Sequence, residues 1–206
     1  MKDVLKILTI GSVGVGKTSL INTYIEDSYT PNESSTVAPS TIEKNKIKSN
    51  GDHVKLNIWD TAGQERFQNM CHHFYRDADV ALICFDEKNK NSIDLWALRV
   101  REFAEPTTRI ILVATKMDTF GDDSHLQNSD KNESNPVADF REYCSRKSEE
   151  LGNVPFFETS SLARMGLNEL FDYISEMEFS LPKKEKTIDI KDQENNSNPE
   201  KDGCNC

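Results

Sequence analysis

Apolar and polar positions follow one another along the chain in blocks that predict strands and helices in turn. Short apolar, β-branched runs are typical of buried strands, and strictly alternating runs are typical of strands with one exposed face. Strands alternating with helices form a mostly parallel sheet covered on both faces, so we expect an α/β fold. The patterns predict strands over residues 4–10, 42–48, 53–59, 79–85, 109–115 and 154–157. Helical spacing of apolar residues predicts helices over residues 17–27, 92–103, 138–151 and 167–177.

Between the second and third predicted strands lies Asn50-Gly51, a pair typical of hairpin turns, so these two strands are expected to be antiparallel. Two polar segments fall outside the pattern. Residues 118–136 have no periodicity and are expected to form an exposed loop, with an insertion at about 119–136. Residues 181–206 are charged and Asn-rich and are expected to form a flexible tail. We therefore expect one domain over residues 1–180, followed by that tail.

Charge and composition narrow the classes of protein to consider. The 206 residues suffice for one domain with a core, and the net charge of −10 argues against nucleic acid as a partner. No apolar run approaches the roughly 18 residues of a membrane-spanning helix, and the charged N-terminus does not resemble a secretory signal. We therefore expect a protein of the cytosol, in which Cys71, Cys84 and Cys144 are reduced thiols.

Residues 11–18, GSVGVGKT, fit a phosphate-binding pattern whose defining positions are Gly11, Gly16, Lys17 and Thr18. The segment follows a predicted strand and opens a predicted helix, as the pattern requires. Glycines let successive backbone N–H groups turn towards phosphate oxygens, and the start of a helix adds partial positive charge. The Lys17 ammonium suits the β- and γ-phosphates, and the Thr18 hydroxyl suits Mg²⁺. The segment therefore predicts a nucleotide site with Mg²⁺ as its cofactor.

The tetrapeptide Thr115-Lys116-Met117-Asp118 follows the fifth predicted strand and bears on which base is bound. The Asp118 carboxylate can accept hydrogen bonds from the ring N–H and the exocyclic amine of guanine, whereas adenine offers no such pair. The stem of Lys116 can lie along the base plane. GTP and GDP are therefore the predicted nucleotides, and an ATP-using enzyme with the same phosphate loop is the more distant alternative.

Five motifs in this order resemble those of the Ras superfamily of small GTPases, and of its Rab branch in particular. They are GSVGVGKT, Thr36, WDTAGQE over residues 59–65, TKMD, and ETSS over residues 158–161. The resemblance covers residues 2 to about 180 and the extreme C-terminus. It implies a small G domain of the P-loop NTPase class, with a six-stranded, mostly parallel sheet, one antiparallel strand and about five helices. It also implies a GTP-hydrolysing molecular switch that regulates vesicle and membrane trafficking.

The resemblance assigns a role to each residue that matches a family motif. Gln64 would orient the attacking water, and Lys17 would act with it in catalysis. The metal ligands would be Thr18, Thr36, which lies eighteen residues later as in the family, and Asp60, which would act through water. The nucleotide-binding set would be Gly11, Gly14, Val15, Gly16, Lys17, Thr18, Ser19, Tyr29, Thr36, Gly63, Thr115, Lys116, Asp118, Ser160 and Ser161.

The chain ends in Cys204-Asn205-Cys206, which resembles the C-x-C ending on which Rab proteins receive two geranylgeranyl groups. Two lipids matter because one gives only marginal, reversible membrane binding. A metal or redox role for this pair is the alternative. The resemblance implies exchange factors, GTPase-activating proteins, effectors and a GDP-dissociation-inhibitor-type chaperone as partners. It places the protein on the cytoplasmic face of an intracellular membrane, in exchange with the cytosol.

The sequence also departs from the Rab pattern. Val13 stands where relatives usually carry Gly, Ser or Ala, and its branched side chain would point towards the space that the catalytic glutamine needs. We therefore expect slow hydrolysis, and an adaptor that holds GTP with negligible catalysis is an alternative. Ala38 replaces a usual Gly, Thr115 replaces a common Asn, and Leu162 stands where many relatives have Lys. The long segment 118–160 keeps a Rho-like GTPase acting on the cytoskeleton open as a further alternative.

Overall fold

A computed structural model of the chain describes residues 2–31, 36, 38–61, 72–120 and 135–179. Strands and helices alternate along it. The strands are β1 (Val4–Ile10), β2 (Ser40–Ile47), β3 (His53–Asp60), β4 (Val80–Phe85), β5 (Arg109–Ala114) and β6 (Phe156–Glu158). The α-helices are α1 (Lys17–Glu26), α2 (His72–Tyr75), α3 (Ile93–Phe103), α4 (Pro136–Glu150) and α5 (Leu167–Glu176). Within these described ranges, two 3-10 helices cover Glu87–Ser92 and Met117–Phe120.

The six strands form one sheet in the order β2-β3-β1-β4-β5-β6. Only the β2–β3 pair in this sheet is antiparallel, and the other four pairs are parallel. The predicted hairpin turn joins β2 and β3, with Gly51 at φ 88° and its N–H donating to the Lys48 carbonyl. This architecture confirms the expected α/β fold with a six-stranded, mostly parallel sheet and about five helices.

The sheet separates two apolar clusters, one against each face. On one face, α1 and α5 pack against the strands, with Phe171 of α5 fully buried. On the other face, α3 and α4 pack against them, with Phe140 of α4 almost fully buried. Neighbouring residues of β1 point to opposite clusters, as Ile7 and Leu8 do. Because helices cover both faces, β4 is buried along its whole length.

Three element boundaries differ from the prediction for identifiable local reasons. Helix α4 begins at Pro136 rather than 138. The Asn135 side chain caps this helix by accepting hydrogen bonds from the N–H groups of Val137 and Ala138. Proline also suits the first helical position. Strand β6 begins only at Phe156, since Pro155 has no N–H to donate to a ladder. The predicted polar loop 118–136 is shorter at both ends, and residues 121–134 lie outside the described residues.

Two further expectations concern membrane spans and thiols. Among the described residues, no helix combines the length and the apolar character needed to cross a membrane. Cys84 and Cys144 are free, buried thiols, and burial raises the pKa of each to about 12. Both therefore stay protonated and unreactive in the folded protein. Cys71 lies outside the described residues, as does the predicted tail from 181 to 206.

Candidate nucleotide-binding site

The predicted site residues gather where the parallel strands end. Gly11 follows β1, Asp60 is the last residue of β3, Thr115 follows β5, and Ser160 lies two residues after the end of β6. The carboxyl ends of parallel strands lie at one edge of a sheet, which is where open α/β folds bind their ligands. Residues that are far apart in the sequence are thereby brought to a single surface.

The phosphate loop between β1 and α1 depends on glycine for close packing. Gly11 has φ 148°, and a Cβ at this position would lie 2.1 Å from the Cys84 carbonyl oxygen, so no other residue fits without displacing β4. Gly16 caps α1 in a left-handed conformation, and no side chain accepts a hydrogen bond at this cap. The start of α1 therefore has no capping side chain at Gly16, as the predicted phosphate-binding role requires. Val15 is fully buried and anchors the loop in the core.

Lys17 supplies a buried cation at the centre of this loop. Its side chain is 5% exposed, and Nζ donates to the carbonyl oxygens of Gly11 and Ser12 at 2.9 and 3.0 Å. Burial lowers the pKa of Lys17 below its ordinary value. Among the described residues, no carboxylate is in hydrogen-bond contact with this ammonium. Such a buried cation is suited to a negatively charged ligand, because an anion would offset the cost of burying its charge. The neighbouring helix residue Ser19 is half-buried.

Three oxygen-bearing side chains converge next to the phosphate loop. The hydroxyl oxygens of Thr18 and Thr36 are 2.5 Å apart, and Thr18 Oγ1 donates to Asp60 Oδ2 at 2.7 Å. Thr36 Oγ1 lies 3.4 Å from the same carboxylate oxygen, and Asp60 is 2% exposed. Hydroxyl and carboxylate oxygens are ligands that suit Mg²⁺, which binds with one or two carboxylates and completes its shell with phosphate and water. The donor set therefore fits the predicted metal.

The base side of the site joins the ends of β5 and β6. Asp118 lies in the 3-10 helix after β5, and the Ser160 hydroxyl donates to its Oδ1. Ser160 is fully buried, and its backbone N–H and carbonyl pair with those of Met165 at 3.0 and 2.9 Å. The adjoining Ser161 is half-buried. The Asp118 carboxylate is therefore oriented by a hydroxyl that the fold itself holds in place.

Lys116 and Thr115 connect the base side to the phosphate loop. Lys116 Nζ donates to the Gly14 carbonyl at 2.5 Å. The Thr115 hydroxyl lies 2.6 Å from the Val15 carbonyl oxygen and 3.0 Å from that of Phe85. Thr115 thus links the loop to the ends of β4 and β5.

Some predicted residues are not brought into the site. Tyr29 is 37% exposed, and within the described ranges it makes no hydrogen bond or ring contact with the predicted base-side residues. Gly63 and Gln64 lie outside the described residues, as do Cys204 and Cys206.

Two residues at the site were missed by motif reasoning. Asp86 follows β4 directly and forms an ion pair with Lys116 at 2.8 Å. The signal for it in the sequence was a polar residue at the end of a buried strand. Gly166 has φ 73°, and a Cβ there would lie 2.0 Å from the Glu158 carbonyl oxygen, so glycine is required for the loop that carries Ser160 to pack against β6. No motif marks that glycine.

Comparison with known proteins bears on the whole chain. The Ras family profile matches residues 6–178. The chain is 31% identical to the Ras-related protein Rab7 of Pisum sativum. The alignment is 220 residues long and covers 100% of this chain and 98% of that protein. It is 32% identical to the Ras-related protein RABG3b of Arabidopsis thaliana over 214 residues, with the same two coverages. It is 30% identical to the Ypt/Rab-type GTPase avaA of Emericella nidulans, again with those coverages.

Proposed function

Because the chain belongs to the Ras family, in its Rab branch of small GTPases, we propose that it is a GTP- and GDP-binding switch in membrane trafficking. The GTP form would recruit effectors and the GDP form would release them. Exchange factors would load GTP, GTPase-activating proteins would speed its hydrolysis, and a GDP-dissociation-inhibitor-type chaperone would carry the protein through the cytosol.

One observation carries this proposal. The oxygens of Thr18, Thr36 and Asp60 converge on one side of the phosphate loop, while Asp118 and Ser160 are hydrogen-bonded on its other side. The first group suits the metal and phosphates, and the second suits guanine. A site that served only as a phosphate-binding loop would need neither group.

The residues would divide the work of hydrolysis as follows. Mg²⁺, held by Thr18, Thr36 and Asp60, would neutralise charge on the β- and γ-phosphate oxygens. The Lys17 ammonium would neutralise the charge that develops on the transferred phosphoryl group, and its burial strengthens that interaction. Gln64 would orient the attacking water.

We propose that Val13 makes this hydrolysis slow. Its side chain is 44% exposed on the phosphate loop, where it is not held in the core and can occupy space beside the γ-phosphate. A branched side chain there would hinder Gln64 and an arginine supplied by an activating protein. An adaptor that holds GTP with negligible catalysis is the extreme case of the same effect.

Single-turnover GTP hydrolysis tests the switch and the slow rate together. Wild-type protein should bind guanine nucleotide and hydrolyse GTP slowly, and Val13→Gly should raise the rate about tenfold or more, since a change of about 1.4 kcal/mol in the barrier is tenfold in rate. Val13→Thr is the matched control, because it keeps the branched shape and should stay slow. An unchanged rate in Val13→Gly would overturn the role of Val13, and failure of the wild type to bind GTP or GDP would overturn the proposal as a whole.

The C-terminal cysteines supply the membrane part of the proposal. Cys204 and Cys206 would each carry a geranylgeranyl group and hold the protein on the cytoplasmic face of an intracellular membrane. The intact mass of the protein from eukaryotic cells should show two such groups, and the Cys204→Ser, Cys206→Ser double variant should lose both and become cytosolic. An unmodified wild-type mass would contradict this part alone.

A further inference from the structure

Asp86, the first residue after β4, is a buried carboxylate that lies outside the five motifs described above. The whole residue is 6% exposed, and its two carboxylate oxygens have separate partners. Oδ1 accepts from the backbone N–H and the side-chain amide of Asn89, at 3.0 and 2.7 Å, and so caps the 3-10 helix Glu87–Ser92. Oδ2 accepts from Lys116 Nζ at 2.8 Å. One carboxylate thus joins the end of β4 to the base side of the site.

Lys116 combines an uncommon backbone conformation with a side chain that is held at two points. Its backbone lies in the left-handed region at φ 58°, which residues with a Cβ rarely adopt. Its carbonyl accepts from the N–H and the hydroxyl of Thr119, at 3.0 and 2.8 Å. Its ammonium is held from two sides, by Asp86 and by the Gly14 carbonyl of the phosphate loop. The Lys116 ammonium therefore bridges the loop to the strand end.

Within this pair, the carboxylate is the fixed member. The Asp86 side chain is 8% exposed and tied to Asn89, whereas the Lys116 side chain is 41% exposed. Burial raises the pKa of Asp86, but the hydrogen bonds from Lys116 and Asn89 lower it by more, so the net pKa lies below its ordinary value. Asp86 is therefore ionised at neutral pH and can anchor the more exposed Lys116 side chain on the side opposite the Gly14 carbonyl.

Both residues line a cavity of about 640 Å³ that is also bordered by Lys88, Thr119 and Phe140. The Lys116 side chain is already 41% exposed, so an ammonium that lost its carboxylate would be solvated. It would then leave the Gly14 carbonyl and the plane in which the base is expected to lie.

We propose that Asp86 is a positioning residue that prolongs nucleotide binding by holding Lys116 against the phosphate loop. The inference rests on the proposed function, since it takes the ligand to be a guanine nucleotide. It adds a residue outside the motifs to the base side and gives the Asp86–Lys116 pair a role in setting the rate of GDP release.

Dissociation of a fluorescent GDP analogue from the full-length protein tests this role. Asp86→Asn keeps Oδ1 for Asn89 but places an amide next to the ammonium, and it should speed dissociation about tenfold, the effect of losing one charge-assisted hydrogen bond. Glu87→Gln, which neutralises the adjacent exposed carboxylate, is the control and should dissociate at the wild-type rate. Lys116→Met should speed dissociation by at least as much as Asp86→Asn.

The double variant Asp86→Asn, Lys116→Met separates positioning from a general structural effect. If Asp86 acts through Lys116, the double variant should release GDP no faster than Lys116→Met alone. Two outcomes would overturn the inference. One is a double variant whose increase in GDP dissociation rate equals the product of the two single increases. The other is an Asp86→Asn dissociation rate within twofold of wild type. If Asp86→Asn does not fold, Asp86→Glu takes its place. Asp86→Glu displaces the charge without removing it, so it should speed GDP dissociation by less than Lys116→Met does. A wild-type dissociation rate in Asp86→Glu would overturn the inference. A wild type that binds no GDP would instead refute the proposed function.

Discussion

The base side and the metal side of the site are built in different ways. On the base side, Asp118 and Ser160 follow the neighbouring parallel strands β5 and β6, and the Ser160 hydroxyl donates to the Asp118 carboxylate. Lys116 is held between the Gly14 carbonyl and Asp86. Each of these groups has a partner supplied by a strand end or by the loop that follows it.

On the metal side, the three predicted ligands come from three different kinds of segment. Thr18 lies in the first turn of α1 and Asp60 ends β3, so both belong to the sheet and its helix. Thr36 lies in the chain between α1 and β2, and its hydroxyl lies next to Thr18 and Asp60. The family's Gly63 and Gln64 positions also fall outside the described residues.

Under the proposed function, guanine recognition rests on groups that the strand ends and their loops, the scaffold, hold in place, whereas metal and γ-phosphate recognition also needs the bound ion. We therefore expect substitutions on the base side to weaken all nucleotide states alike. Substitutions on the metal side should act only when Mg²⁺ is present. The two predictions below test this contrast, the larger effect first.

Replacing Asp118 with Ala should reduce GDP affinity about a thousandfold, since two hydrogen bonds to a charged acceptor, each worth about 1.5–3 kcal/mol, would be lost. Inosine diphosphate, which lacks the exocyclic amine of guanine, makes the test specific. Wild-type protein should prefer GDP over inosine diphosphate, and Asp118→Ala should bind the two equally weakly. Competition against a fluorescent GDP analogue measures both affinities.

The matched control for this prediction is Asp139→Ala, which removes an exposed carboxylate from the first turn of α4. It should keep the wild-type preference for GDP. Because the base side is built into the scaffold, the loss in Asp118→Ala should be the same with Mg²⁺ and with a chelator. A preference for GDP that survives in Asp118→Ala would remove Asp118 from base recognition.

The sequence predicted the fold well where burial leaves a periodic signal. Strand β1 matches its predicted bounds to the residue, and β4 and β5 are apolar runs, as expected for strands covered on both faces. The 3-10 helix Glu87–Ser92 buries none of its residues, so it has no apolar pattern to find, and the Asp86 cap that forms it is a local hydrogen bond. Asn135-Pro136 was a helix-start signal hidden in a polar segment.

At the site, motif spacing identified residues whose chemistry is local, but not those that act through the fold. Thr18, Thr36 and Asp60 were predicted together and do meet. Asp86 was missed because its partner lies thirty residues later, and only the pairing of β4 with β5 brings the two together. The link between Thr115 and the Val15 carbonyl spans one hundred residues and depends on sheet order in the same way.

The smaller effect is expected on the metal side and should depend on the ion. Thr18→Ala removes one of three oxygens, and GDP dissociation in the presence of Mg²⁺ should become at least about tenfold faster, the scale on which altered metal sites lose affinity. A chelator should raise the wild-type rate to that of the variant and leave the variant itself unchanged. Thr41→Ala, on the exposed edge strand β2, is the control and should respond to the chelator as the wild type does. The opposite outcome is that GDP dissociates faster from Thr18→Ala than from wild type to the same degree with and without Mg²⁺. Thr18 would then hold the nucleotide without the ion, as the base side does. The contrast between the two sides would fail.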